Sequence, residues 1–331
     1  MQCEDVMVSV LCVAFNHHKY IRRCLDSLVG QKTSFKYEII VHDDASSDGT
    51  QEIIREYAGR FPNLIIPILQ EENQYSNGKD IVKNFLYPAA TGKYIVECEC
   101  DDFWCDENKL QLQVEALKEH KNCVLCVHAT NTVDAEEKKM DLHFPMMKIK
   151  EGIITTREFM DMTLDENSWP FHLSAFMVKK QLFEEYMDFK TTGFPSKFFR
   201  VGDLPLYLYF GLQGDTYYID RVMTTYTMES GGFMSRVKAD PRFAYKVSEG
   251  FIRGLTDFDE YSKHEYSAYV QRMLVPKRFE VARIERRFDI LVSTPEYRRL
   301  IQKRGAIKRM AIWIVGYTML LLGRLHKERI N

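Results

Sequence analysis

The sequence predicts an α/β fold: a mostly parallel central sheet with helices on both faces, followed by a helical C-terminal extension. Three observations predict it. Short apolar runs rich in β-branched residues recur at residues 8–14, 37–41 and 94–96, the length and composition of buried parallel strands. Segments with helical apolar spacing lie between them, so strand and helix alternate over about the first 130 residues, and right-handed crossovers then put helices on both sides of the sheet. The remainder, from residue 240, reads as helices rich in Tyr, Phe and Arg. A chain of 331 residues is long enough for such a domain and its extension.

Taken in order, the run at 8–14 ends at Phe15 and Asn16, where Asn16 suits the cap of a helix. Ile21, Leu25, Leu28 and Val29 then share one helical face. The run at 37–41 leads into His42-Asp43-Asp44-Ala45-Ser46-Ser47-Asp48-Gly49-Thr50, with Ser47 a second cap candidate and Asp48-Gly49 a turn pair. Ile53, Ile54, Tyr57 and Phe61 mark the next helix. Residues 64–69 form a third strand that Pro67 restricts to an edge or bulge. A polar stretch precedes a helix over about 80–90, whose last turn Pro88 limits.

The next strand ends abruptly in Glu97, Glu99, Asp101 and Asp102, and Leu110, Val114 and Leu117 begin a helix directly behind it. Carboxylates at that end of a parallel strand stand where open α/β sheets bind ligands, and their oxygens suit a hard divalent cation. On extended backbone Glu99 and Asp101 project to one face and Asp102 to the other, which makes Glu99 and Asp101 the expected metal pair. An isolated E-x-D-D is equally the composition of a solvated turn.

Composition narrows the class. Hydrophobic content of 45% with 28% charged residues is that of a globular protein and excludes wholesale disorder. The net charge of −2 hides an asymmetry: residues 271–331 hold 15 Lys or Arg against 5 Asp or Glu, and residues 1–270 hold 30 against 42. The N-terminus lacks the apolar segment that secretion requires, so eight cysteines imply a reducing, cytoplasmic compartment. Cys123 and Cys126 form a C-x-x-C, but strand alternation should point them to opposite faces, which argues against zinc.

Three ordered blocks carry a resemblance. Residues 8–16, Glu38-Ile39-Ile40-Val41-His42-Asp43-Asp44-Ala45-Ser46-Ser47-Asp48-Gly49-Thr50, and Gly92-Lys93-Tyr94-Ile95-Val96-Glu97-Cys98-Glu99-Cys100-Asp101-Asp102-Phe103-Trp104 with Lys109 together resemble the inverting family 2 glycosyltransferases of GT-A fold. The likeness covers about the first 130 residues well and extends less tightly to about 236. It implies transfer of a sugar from a nucleotide-sugar, usually UDP-linked, with Mg²⁺ or Mn²⁺ held by Glu99, Asp101 and Asp102. It also implies that Ala14, Asn16, Asp43, Asp44, Asp101 and Arg236 contact the donor. Glu99 stands where many members carry Asp, and Cys100 where Gly or Ser is common. A cation bridging diphosphate to carboxylates stabilises the charge of the leaving group.

Downstream, the resemblance implies an acceptor site in the central region. Trp169 and His172 are its candidate sugar contacts, with a packed loop the plainer reading of both. Asp203, before the apolar helix Leu204 to Phe210 and next to an early Pro205, reads as a helix cap from its position alone. The resemblance matches it to the catalytic base of an inverting displacement. Thr227 and Glu229 replace the basic residues that relatives often carry, leaving Arg236 as the substitute, and Gly231-Gly232 would permit a flap. The implied organisation is a nucleotide-sugar-binding half at 1–130, an acceptor-binding half at 131–236 and a helical extension at 237–331.

That extension holds an apolar stretch from Met310 to Gly323, flanked by Lys308, Arg309, Arg324, Lys327 and Arg329. It is short for a bilayer span, so a helix over 308–325 lying on an anionic membrane surface is expected, with a buried packing helix or oligomer contact as the other readings. The acceptor is then a saccharide or a lipid-linked saccharide, and the protein is peripheral at the inner face of the cell membrane, with no nucleic-acid partner. A metal-dependent nucleotidyltransferase and a non-catalytic membrane-associated scaffold remain the alternatives. The first would typically carry a Gly-rich basic loop after residue 14, which the sequence lacks.

Overall fold

The computed structural model describes residues 5–165, 169–192, 203–228 and 233–328. The chain divides into two compact units, one made of residues 1–163, 167–191 and 206–230, the other of 164–166, 192–205 and 231–331.

The first unit is built on a ten-stranded sheet. Strands β1 (Val8–Ala14), β2 (Tyr37–Asp43), β3 (Ile65–Leu69) and β4 (Tyr94–Glu99) run parallel in the order β3-β2-β1-β4. Helices α1 (Ile21–Val29) and α2 (Thr50–Arg60), and a π-helical turn at Val82–Leu86 that runs into α3 (Tyr87–Ala89), make the crossovers. Pro67 sits on β3 at the sheet edge, where its missing N–H costs no ladder bond. After β4 come β5 (Phe103–Trp104), α4 (Lys109–Glu119), β6 (Cys123–Asp134), β7 (Lys139–Phe144), β8 (Gly152–Ile154) and α5 (Thr156–Thr163). Then follow β9 (Met177–Lys179), α6 (Lys180–Thr192), α7 (Asp203–Gly211) and β10 (Asp215–Met228). The sheet continues from β4 as β9-β6-β10-β5; β9 is antiparallel to both neighbours, so the second half is mixed where the first is parallel.

Strand alternation sorts the core into two layers. Val8, Val10, Cys12 and Ala14 of β1 face α1, α2 and α4 through Leu25, Ile54 and Leu110. Leu11, Ile40 and Ile95 face the other way, onto Leu86, Phe159, Phe183, Tyr207 and Phe210. Burying a Leu or Ile stabilises by roughly 1.5–3 kcal/mol, and burial on both faces is what makes these strands continuous apolar runs. At the opposite end from the acids, Ser9 Oγ donates to buried Glu38 at 2.6 Å and accepts from Gly92 N at 2.8 Å. A Cβ on Gly92 would lie 2.5 Å from Ser9 N, so only glycine lets this turn pass against β1.

Cys123 and Cys126 depart from expectation. A bulge between the Asp215–Cys123 and Thr216–Leu125 pairs shifts the register, and both cysteines face the same core layer. They remain buried free thiols, and no cysteine belongs to a cation-sized ligand group among the described residues.

The second unit is helical: α8 (Phe233–Ala239), α9 (Pro241–Tyr261), α10 (Ser267–Ile284), α11 (Phe288–Ser293), α12 (Arg298–Gln302) and α13 (Ala306–Glu328). Asp240 caps α9, accepting from Arg242 N at 2.9 Å and Phe243 N at 3.2 Å, with Pro241 at the first helical position. Phe279, Leu291, Val292, Tyr297, Ile301 and Ile312 form its core. Among the described residues no helix is long and apolar enough to cross a membrane.

Candidate functional site

Strand β4 ends at Glu99, and a tight turn, closed by Asp102 N donating to the Glu99 carbonyl at 3.0 Å, delivers the chain to β5. Because the backbone turns here, strand alternation no longer governs Asp101 and Asp102. Asp102 is fully buried: its carboxylate accepts from Thr227 N at 2.9 Å and Ser174 Oγ at 3.1 Å. His172 Nδ1 lies 3.7 Å from the same carboxylate. Ligand atoms of Glu99, Asp102 and His172 all lie within 4.8 Å of one another. Asp101, the other predicted ligand, is partly exposed and stands outside this group of three. His172, predicted as an acceptor contact, belongs to it.

Electrostatics support a neutral resting pair. Burial, and then the nearby Asp101 charge, push the Asp102 carboxyl well above the usual range, against the hydrogen bonds from Thr227 and Ser174 and the charge of Arg23. Burial lowers His172 to about 4, leaving a neutral imidazole whose Nδ1 accepts a hydrogen bond from Ser174 N at 3.4 Å. His172 also stacks on Tyr226, ring centroids 4.4 Å apart, which fixes its ring plane.

Residues that local spacing did not flag hold this turn. The Arg23 guanidinium donates to the Asp101 carbonyl at 3.1 Å and to Thr227 Oγ1 at 2.9 Å, pairs with Glu137 and lies 4.1 Å over the Phe103 ring. Ser27 Oγ accepts from Trp104 N, and Gln31 bridges the Asp106 carbonyl and Leu110 N. Buried Lys109, lowered to about 7 by desolvation, donates to Gln113 Oε1 and sits 4.0 Å over the Trp104 ring. Gln113 in turn donates to the Ala175 carbonyl at 2.8 Å, fixing the short 3₁₀ turn Leu173–Ala175 just after His172. The only sequence signal for this scaffold was Lys109, which the resemblance had included.

At the carboxyl ends of β1 and β2, Ala14 is buried and its carbonyl accepts from Asp44 N. Asn16 and Ser47 do not cap helices: α1 begins at Ile21 and α2 follows Gly49, which has φ of 95°. Instead Asn16 Oδ1 accepts from Ser47 N at 3.0 Å and its own N donates to Ser46 Oγ at 2.8 Å, locking the two loops together. Asp43 is fully buried and accepts from Ser46 N, Ser46 Oγ and Gln51 Nε2. Buried Asp44 accepts from Gln74 N at 2.7 Å and Tyr75 N at 3.1 Å. Both carboxylates therefore shape the loops around this corner, and with about four acceptor sites each they retain one or two for a ligand.

Trp169 is half-buried, its ring edge-on to Tyr207 at 5.8 Å. Asp203 is the first residue of α7; the residue as a whole is partly exposed, yet burial of its carboxyl raises it to about 6. Arg236 is an exposed residue of α8 whose guanidinium covers the Phe243 ring at 4.2 Å. Gly202, Glu229 and Gly231-Gly232 lie outside the described residues.

Comparison with known proteins agrees with this architecture. An uncharacterized protein of Mycobacterium tuberculosis is 39% identical over 148 residues, 44% of this chain and 41% of that protein. The UDP-Glc:alpha-D-GlcNAc-diphosphoundecaprenol beta-1,3-glucosyltransferase WfgD of Escherichia coli is 28% identical over 114 residues, 34% of this chain and 42% of that protein. The chain thus spans about two fifths of the length of these curated relatives. Among solved structures, residues 1–349 of TarS from S. aureus in complex with UDP superpose with a TM-score of 0.56 at 16% identity, covering 92% of this chain and 77% of that one. The mannosyltransferase PcManGT from Pyrobaculum calidifontis, in complex with GDP-Man and Mn²⁺, gives 0.52 at 18% identity, covering 96% and 81%. These likenesses establish the GT-A fold. Residues 9–187, more than half of the chain, match the family model described as Glycosyl transferase family 2, and the chain belongs to that family.

Proposed function

We propose that the protein is an inverting, metal-dependent glycosyltransferase that moves a sugar from a nucleotide-diphosphate-sugar, UDP-linked by preference, to a hydroxyl of a saccharide or lipid-linked saccharide, as in cell-surface polysaccharide assembly. One observation carries this reading: Glu99, Asp102 and His172 bring their ligand atoms within 4.8 Å of one another at the carboxyl end of β4, in a family 2 chain. The two carboxylates supply the hard oxygen ligands that Mg²⁺ or Mn²⁺ takes, and the imidazole favours Mn²⁺ of the two. Asp102, a buried carboxyl pushed toward its protonated form, is the kind of group a bound cation returns to the anion. Bound there, a divalent cation supplies charge neutralisation for the departing nucleoside diphosphate.

The chain's own residues take the other roles. Ala14, Asn16, Asp43 and Asp44 frame the base and ribose; Asp101 and Arg236 serve the diphosphate. Trp169 offers a ring to the acceptor sugar, while His172 is reassigned from acceptor contact to cation ligand. Asp203 removes the proton of the acceptor hydroxyl as that oxygen attacks the anomeric carbon opposite the leaving group. Residues 1–130 act as the donor half, 131–236 as the acceptor half and 237–331 as the extension. The UDP bound by TarS and the diphosphoundecaprenol acceptor in the name of the E. coli relative support the donor and acceptor classes.

The test is a thermal-shift screen of nucleotide-sugars with and without Mn²⁺, followed by anomer-resolved product analysis. Ligand binding to the folded state raises its melting temperature. A metal-dependent shift with one nucleotide-sugar and an inverted product are expected. Equal shifts without metal, or retention at the anomeric carbon, refute the reading.

A further inference from the structure

We propose that the helical unit docks on an anionic membrane surface, with phosphate headgroups seated in a basic groove between α13 and residues 283–288.

Two faces of α13 differ. Ile312, Trp313, Gly316 and Leu320 pack into the unit, Gly316 so closely that a Cβ there would lie 2.5 Å from the Phe288 carbonyl. The other side is apolar and open: Met310 is 60% exposed, Ile314 61% and Leu321 60%, with Tyr317 exposed between them. Steps of four, three and four residues set these side chains in one stripe, roughly 16 Å long at the helical rise of 1.5 Å per residue. Beside the stripe lies a groove of about 410 Å³ whose lining includes Arg283, Arg286 and Lys308 over Ile284, Phe288 and Val315, with no acidic residue among its walls. Arg283 pairs with Glu280 at 2.7 Å. Arg286 and Lys308 around an apolar floor, with the paired Arg283 beside them, are complementary to a phosphate whose ester continues into hydrocarbon.

Charge decides between occupants. A second copy of this chain would bring the same cations to a self-complementary contact and so repel itself, whereas an anionic bilayer answers them. The 14 uncharged residues from 310 to 323 reach roughly 21 Å as helix, short of a hydrocarbon core of about 30 Å, so α13 lies in the interface plane.

Flotation of the full chain with phosphatidylcholine vesicles, with and without phosphatidylglycerol, tests this. The wild type is expected to float only with the anionic vesicles and to be released by salt. Arg286→Gln with Lys308→Gln should lower partitioning about 25-fold, taking about fivefold per cation, and Ile314→Glu should abolish it. Both sites are solvent-facing, so melting temperature and nucleotide-sugar binding should match wild type; loss of the latter in the wild type itself would sink the enzymatic reading and leave this one standing. Equal binding to neutral and anionic vesicles, no binding to either, or a dimer that Ile314→Glu converts to monomer without any vesicle binding would overturn the proposal.

Discussion

Replacing Asp102 by Asn separates the proposed cation role of this residue from its structural one. The amide keeps the shape of the carboxylate and one acceptor oxygen, which can still take the Thr227 N–H now at 2.9 Å. Ser174 Oγ, now donating to the other oxygen at 3.1 Å, can rotate and accept from the new amide instead. The fold should therefore lose no more than about 1 kcal/mol, the worth of one hydrogen bond. The cation site loses one of two anionic ligands. Even the loss of an outer-shell partner weakens metal binding 10- to 100-fold, so direct ligand loss should raise the Mn²⁺ Kd at least about 100-fold. Calorimetric Mn²⁺ titration of wild type and variant measures this, with thermal melting as the control for folding. The wild-type affinity should also climb with pH, because protons compete for a carboxyl whose ionisation is already disfavoured. A folded Asp102→Asn protein with Mn²⁺ affinity within about threefold of wild type would refute the site, since that is less than the loss of even an outer-shell contact.

Asp203→Asn should lower transfer about 10²- to 10⁴-fold while leaving the donor-induced melting shift intact; unchanged transfer removes Asp203 as the base. Since the ionised form is the active one and burial raises its pKa to about 6, kcat/KM should rise with pH through about 6 and level above it, and a profile flat across that range speaks against the assignment. Arg23→Leu, which frees the Asp101 carbonyl and Thr227 Oγ1, should weaken Mn²⁺ binding about 10- to 100-fold without touching a ligand, and wild-type affinity would show that the turn holds itself. Gly92→Ala forces a Cβ against the β1 backbone and should cost about 1–3 kcal/mol in chemical denaturation; wild-type stability would mean that the turn has room to move.

The parallel half of the sheet was legible because burial on both faces writes continuous apolar runs, and its helices because their periodicity is unbroken. Positions at the acid turn were legible as candidates, yet the geometry was not. Asp102 meets Ser174 and Thr227 across 72 and 125 residues of sequence, and spacing within one motif carries no record of such partners. Alternation grouped Glu99 with Asp101, whereas the turn after Glu99 brings Asp102 within ligand range of Glu99 and His172, and alternation misplaced Cys123 against Cys126 because their strand bulges where it meets β10. Asn16 and Ser47 have the chemistry of caps, but each loop offered the other a closer partner.

The hydrogen bond from Thr227 N to Asp102 gives the site an order of assembly. A chain emerging from the ribosome presents β1 to β4 and the whole acidic turn long before it presents β10. Until residue 227 arrives, the Asp102 carboxylate lacks its backbone donor and Arg23 lacks the hydroxyl that anchors it. A chain that ends before β10 thus holds every carboxylate of the motif but lacks the backbone donor and the hydroxyl that brace the turn.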